Sequence, residues 1–219
     1  MEKPEPKQRG EQVVKIIKPS IEILDELNPE EILKKLEIAG RVCYKSEDKI
    51  TPESAVKFIS SILKRGHESV IEHFSFSVKF IVDRGVSHEM VRHRLASYSQ
   101  ESTRYCNYAK NGFGGEITVI EPIFLKRGTQ GYDIWRQACE NAEQAYFDML
   151  DWGCLPEEAR DVLPTSVKTE IVMTANLREW RHFLRLRTSK AAHPQIREVA
   201  NMLLTELNYK LPVLVDDFL

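Results

Sequence analysis

Residues 74–82, FSFSVKFIV, place an apolar side chain at every second position, the period of a strand with one buried face. Residues 130–152 read differently. Trp135, Ala138, Ala142, Ala145, Tyr146 and Met149 recur at helical spacing, and Gly153 follows as a stop. Strands come singly or in pairs between helices along the whole chain. That order predicts an α/β (mixed α+β) single domain and argues against a regular βαβ array.

The other elements follow from local signals. VVKIIKPSIEIL (13–24) predicts one or two strands around Pro19. Asn28-Pro29-Glu30-Glu31 combines a cap, a proline and two acids, so a helix starts there. Thr51-Pro52-Glu53 opens a second helix with Val56, Ile59 and Leu63 on its apolar face, ending near Gly66. A helix beginning near Gly85 is expected to carry His88, Glu89, Arg92 and His93, while Ser97 to Thr103 is poor helix material. AKNGFGGE (109–116) is a loop and residues 117–121 a short strand. LPEEARDVLP (155–164) is a short helix between prolines, KTEIVMTAN (168–176) a strand, and LREWRHFLRLR (177–187) an arginine-rich helix. Pro194 opens a last helix through residue 208. Residues 1–12 are charged, contain proline and lack an apolar core; they are expected to be a disordered lead-in to a domain spanning 13–219.

Composition narrows the function. The 219 residues are 42% hydrophobic, enough for a real core, and carry a net charge of −2. A nonspecific nucleic-acid binder usually has a basic excess, so no nucleic-acid partner is expected. No apolar run approaches the ~20 residues needed to cross a bilayer. Four scattered cysteines without a C-x-x-C pair read as reduced thiols in a cytoplasmic protein. No metal is expected, because His67 and His73 are six apart and off one helical face.

Three stretches are dense in donors: HESVIEH (67–73), RHRLASYSQESTRY (92–105), and Arg160 with Asn176, Arg178, His182, Arg185 and Arg187. The plain reading of any one is a solvated face with ordinary ion pairs. The sharper reading is anion binding, since a guanidinium fork gives carboxylate or phosphate two parallel bonds. Glycine-rich nucleotide loops and a G-x-S-x-G elbow are absent, so any dinucleotide phosphates would be held by side chains.

Arg92-His93-Arg94, seven residues, then Ser102 matches the R-H-R-x7-S signature of the flavin-dependent thymidylate synthases, and the match continues to Arg104-Tyr105. HESVIEH resembles that family's upstream H-E-x-x-x-E-H element. EEARDVLP and the N-x-R…F-L-x-L-R helix fit its C-terminal half, in order, from about Ala39 to Ile196. The family often has Asn then Glu where this chain has Ser99 and Gln100, with Glu101 directly after.

The resemblance implies an α/β fold with a central, mostly antiparallel sheet flanked by helices, in a homotetramer with shared active sites. It implies reductive methylation of dUMP to dTMP, with 5,10-methylenetetrahydrofolate as carbon donor and NADPH-reduced FAD as electron carrier. By the same resemblance Arg187 and His67 are catalytic. Ser69, Arg92, His93, Arg94, Gln100, Asn176, Arg178 and His182 hold FAD. Glu89, Arg92, Gln100, Glu101, Ser102, Arg104, Arg160 and Arg187 hold dUMP. Two other readings use the same residues: a non-catalytic nucleotide- or RNA-binding module, and a pyrimidine methylase with Cys106 as nucleophile.

Overall fold

The computed structural model describes residues 14–104, 108 and 115–218, so the lead-in and Cys106 lie outside the described residues. These divide into two compact units. The first comprises residues up to 19, 81–89 and 100–171; the second comprises 20–80, 90–99 and 172–219. The chain is a mixed α/β fold with an antiparallel four-stranded sheet, in the order Ser20–Ile23 (β2), Ser75–Asp83 (β3), Lys168–Asn176 (β6), Ala96–Gln100 (β4), and a separate parallel pair, Lys15–Ile17 (β1) and Thr118–Ile120 (β5).

In the first unit, β1 (Lys15–Ile17) pairs in parallel with β5 (Thr118–Ile120). Their apolar neighbours pack on α4 (Gln130–Asp151) and α5 (Pro156–Ala159) around Tyr146, Phe147 and Val119. The buried face of α4 is Tyr132, Cys139, Glu143, Tyr146 and Phe147, whereas Ala138, expected inside, is exposed. Alanine buries little area, so the aromatics set the rotation of the helix. Glu143 goes inside because its carboxylate accepts the backbone N–H of Ile117 at 2.6 Å. α3 (Arg84–Met90) begins where Asp83 accepts the Val86 N–H at 2.8 Å.

The second unit holds α1 (Pro29–Val42), α2 (Ser54–Lys64), α6 (Leu177–Arg187) and α7 (Pro194–Lys210), with β2 (Ser20–Ile23). β3 (Ser75–Asp83), β4 (Ala96–Gln100) and β6 (Lys168–Asn176) have residues in both units. Asn28 caps α1 by accepting from Glu30 and Glu31 N–H, a contact worth about 1 kcal/mol. Gly66, at φ 73°, ends α2 with its N–H on Leu63 O. On α2 the core takes Ile59 and Ile62, while Val56 is exposed, contrary to the expected face.

Trp180 of α6 is the centre of this core. It stacks on Phe76, meets Phe80 and Phe183, and donates its indole N–H to Phe76 O at 3.2 Å. β6 runs straight into α6, so the alternation of the strand fixes which face of the helix turns inward. α3 ends at Met90, before Arg92 and His93, which therefore do not ride on it as the sequence suggested. They lie in a turn that leads into β4, a strand the sequence did not announce. The Tyr98 hydroxyl on β4 is directed at the carbonyls of Met90 (2.7 Å) and His93 (2.9 Å), which pins that turn.

Candidate active site

The turn places His93 inside the second unit, 4% exposed, against the face of α6. Arg187 Nε donates to His93 Nε2 at 3.1 Å. Nε2 must then be the unprotonated nitrogen, so Nδ1 carries the hydrogen and donates to Glu179 Oε1, also at 3.1 Å. Burial, then Arg187, then His182 push the His93 pKa down to about 4. The imidazole is thus neutral near pH 7, and its contact with Glu179 is a hydrogen bond within ion-pair distance. Burial raises the Glu179 carboxyl as well, with His182 opposing.

Glu179, His182 and Arg187 all belong to α6, and Asn176 starts it. The Asn176 side-chain oxygen accepts the Glu179 N–H at 2.9 Å. Among the described residues its carboxamide N–H donors make no hydrogen bond, and they line the adjacent cavity. Glu179 is the one acid in LREWRHFLRLR, and the sequence reading passed over it. An acid embedded in a cationic helix was the signal that could have found it. His93, Glu179 and His182 bring ligand atoms within 4.8 Å of one another, a geometry that a cation could use. With both His93 ring nitrogens engaged and the Arg187 cation alongside, the cluster works as a hydrogen-bond chain.

Beside this chain lies a cavity of about 550 Å³ lined by Glu68, Glu72, Leu95, Asn176, Arg178, Glu179, His182 and Arg185. Arg178 is exposed and paired with Glu72 at 2.5 Å, with Glu68 at 3.9 Å. Arg185 reaches Glu68 at 3.4 Å. Exposed pairs of this kind are weak, so an incoming anion can exchange for Glu72 at small cost. A second recess of about 360 Å³ shares Glu68 and Arg178 with the first and adds Tyr44, His67 and Ser69. His67 Nδ1 lies 3.3 Å from the Tyr44 hydroxyl. Arg92 and Arg94 are exposed in the turn and make no ion pair among the described residues.

The remaining predicted residues sit in the first unit. Arg160 donates to Thr103 at 3.3 Å, and Ser102 Oγ accepts the Arg104 N–H at 3.3 Å. Arg104 approaches Glu157 at 3.7 Å, both exposed. Glu89 is half-buried on α3. Gln100 and Glu101 are engaged within the chain. Gln100 Nε2 donates to Ser87 (2.9 Å) and Thr169 (3.2 Å), and Glu101 takes Lys168 (3.0 Å) and the Tyr108 hydroxyl (3.2 Å). These bonds tie the end of β4 to β6 in that unit.

A mixed α/β fold that clusters guanidinium, imidazole and carboxamide donors around open recesses is equipped to hold a flat, anionic ligand. Residues 22–213 match the family described as thymidylate synthase complementing protein. The flavin-dependent thymidylate synthase of Pyrococcus furiosus is 37% identical over 170 residues, covering 77% of this chain and 68% of that protein. The Geobacter sulfurreducens protein of the same name is 35% identical over 187 residues, covering 82% and 79%. The crystal structure of a UMP/dUMP methylase, PolB from Streptomyces cacaoi, bound with 5-Br dUMP, is similar at TM-score 0.74 and 28% identity, covering 94% of this chain and 96% of that one. This chain belongs to the flavin-dependent thymidylate synthase family and is an enzyme.

Proposed function

We propose that the chain converts dUMP to dTMP, taking a one-carbon unit from 5,10-methylenetetrahydrofolate and electrons from NADPH by way of FAD. The observation that carries this reading is the Arg187–His93–Glu179 chain. A uracil ring reacts at C5 once N3 is stabilised as the anion, because charge delocalised from N3 raises electron density at C5. Arg187 supplies the cation for N3. Neutral His93 holds it by accepting from Nε. A protonated His93 would repel the guanidinium and have no lone pair to offer, so the buried, low-pKa imidazole keeps the cation in place.

The residues fit a flavin dinucleotide. Arg178, with Arg92 and Arg94, would neutralise the pyrophosphate; Asn176, His182, Ser69 and His93 would orient the ring system, with His67 at its edge. FAD when bound supplies the reducing equivalents. The open recesses along α6, lined by donors and by the Tyr44 ring, suit a flat ligand. Ser102, Arg104 and Arg160, with Glu89, would hold the dUMP phosphate and sugar, and Arg92 would reach the same nucleotide. Gln100 would face both flavin and dUMP and Glu101 would face dUMP, from positions held by their bonds to Ser87, Thr169, Lys168 and Tyr108.

The functional enzyme is a cytoplasmic homotetramer in this reading. Exposed Leu95, Trp152 and Tyr209 offer apolar surface for subunit contacts. Among the described residues no helix is long and apolar enough to cross a membrane. The test is dTMP formation by purified protein with FAD, NADPH and the folate omitted in turn. Turnover is expected only when all three are present. A colourless protein that binds RNA with steep salt dependence and forms no dTMP would replace this reading with a binding module.

A further inference from the structure

A third recess, of about 520 Å³, lies between α1 and α2 and, Tyr44 apart, is lined by residues given no role above. Its cations are Arg41, Lys49, Lys57 and Arg65; Tyr44 and Phe58 add rings, three serines line the rest, and no acid lines it. On α2 the lining positions are 54, 57, 58 and 61, and Arg65 at its C-cap continues that helical stripe, offset from buried Ile59 and Ile62.

The floor of this recess is built. The Arg41 guanidinium lies 4.5 Å over the Phe58 ring. Glu37, 1% exposed, grips Arg41 at 2.8 and 3.0 Å and accepts from Ser54 at 2.7 Å. Burying a carboxylate is expensive unless it is fully bonded, and here its bonds all go to residues that line the recess. Phe58 reaches this place because residue 40 is glycine, where a Cβ would stand 2.6 Å from the ring. Above this floor, Lys49 and Lys57 are exposed and make no ion pair among the described residues.

Tyr44 lines both this recess and the one holding His67 and Ser69, which in turn shares Glu68 and Arg178 with the cavity along α6. The three recesses therefore form a row within one unit. A ligand with a ring system at one end and an anionic tail at the other matches that row. Lys57 and Arg65 are eight residues apart on the helix, about 12 Å along the axis. A single phosphate cannot bridge that span. Several spaced carboxylates can.

We infer that this recess binds the glutamyl carboxylates on the tail of a reduced folate, and so selects oligo-γ-glutamylated forms of the one-carbon donor. The inference rests on the folate-dependent activity proposed above, and the experiment separates the two. KM for mono- and pentaglutamyl methylenetetrahydrofolate is measured on the FAD-loaded enzyme, native and with Lys49→Ala plus Lys57→Ala. The native enzyme is expected to prefer the pentaglutamate by about tenfold in KM, the weight of two partly screened ion pairs, and to lose the preference as salt rises. The double variant should lose that preference while kcat and the monoglutamate KM stay unchanged. Equal KM values in the native enzyme, or an undiminished preference in the variant, overturn the inference. A raised KM for NADPH in place of the folate effect also overturns it, assigning the cations to a nicotinamide nucleotide. If no turnover occurs, equilibrium dialysis of the two folates against the FAD-loaded protein decides. Tighter pentaglutamate binding that needs both lysines upholds the recess while the activity reading fails; equal binding overturns the recess as well.

Discussion

Arg187 donates to His93 Nε2 at 3.1 Å, so two residues ninety-four positions apart share one hydrogen bond whose direction fixes the histidine tautomer. The Arg187 guanidinium is held by a neutral ring, and the ring by the Glu179 carboxylate. The first expectation concerns that carboxylate. Glu179→Gln can still accept from Nδ1–H through its amide oxygen but loses the negative charge, and in the rotated amide two N–H donors face each other, so the ring is held less firmly although Arg187 still fixes its tautomer. The variant should fold and bind flavin, with kcat down about tenfold to a hundredfold through loss of a buried positioning bond. A structural role alone would leave the pH profile of kcat unmoved, whereas the positioning role shifts its acidic limb.

The His93 pKa gives a pH prediction with a definite sign. The folded value, about 4, is below the ordinary 6.5, so between these values the unfolded chain binds the proton and the folded chain does not. Stability is therefore full above pH 6.5 and falls as pH drops towards 4, by at most ~3 kcal/mol from this group. Glu179, shifted upward, works in the opposite sense as pH falls towards the carboxylate range. Thermal melts from pH 7 to 4 should show a shallower acid loss in His93→Asn than in the native protein. Identical slopes would mean that His93 does not titrate as described.

Arg187→Ala should lower dTMP formation about a hundredfold or more, the usual cost of removing one preorganised charge. Melting temperature should change little. Arg187→Lys keeps the charge but lacks the planar fork that serves His93 and uracil together, so only partial rescue is expected. Wild-type turnover in the alanine variant would remove Arg187 from the reaction.

Flavin retention distinguishes Arg178 from its partner. Arg178→Ala should lose flavin on gel filtration. Glu72→Gln should retain it at least as well as the native protein, because the pair at 2.5 Å is exposed and competes with the ligand. Loss of flavin in Glu72→Gln alone would show the acid to be part of the site.

Packing sets the last expectation. Trp180→Ala should cost ~3–5 kcal/mol, since the indole is fully buried among Phe76, Phe80 and Phe183. Denaturant unfolding measures it, and a loss under 1 kcal/mol would contradict the core as drawn.

Periodicity was enough to read the strand at 168–176 and the helix at 177–187, whose observed bounds coincide with the expected ones. The Asn28 cap and the Gly66 stop were legible for the same reason: each is a local backbone requirement written in one or two residues. The order of the motifs likewise determined the family. What sequence left open depended on contacts distant in the chain. β4 has no strong strand signal and exists because it pairs with β6. The aromatics set the face of α4, but that Glu143 shares it depends on a bond from the Ile117 N–H, which no helical wheel contains. Gln100 and Glu101 lie within the motif, and only the tertiary structure shows that their side chains also bond to Ser87, Thr169, Lys168 and Tyr108. Glu179 looked like one acid on a basic helix until tertiary folding brought His93 to it. Residue type determined which chemistry was available; only the tertiary structure decided which nitrogen carries the proton, because a hydrogen bond's direction is set by both of its partners.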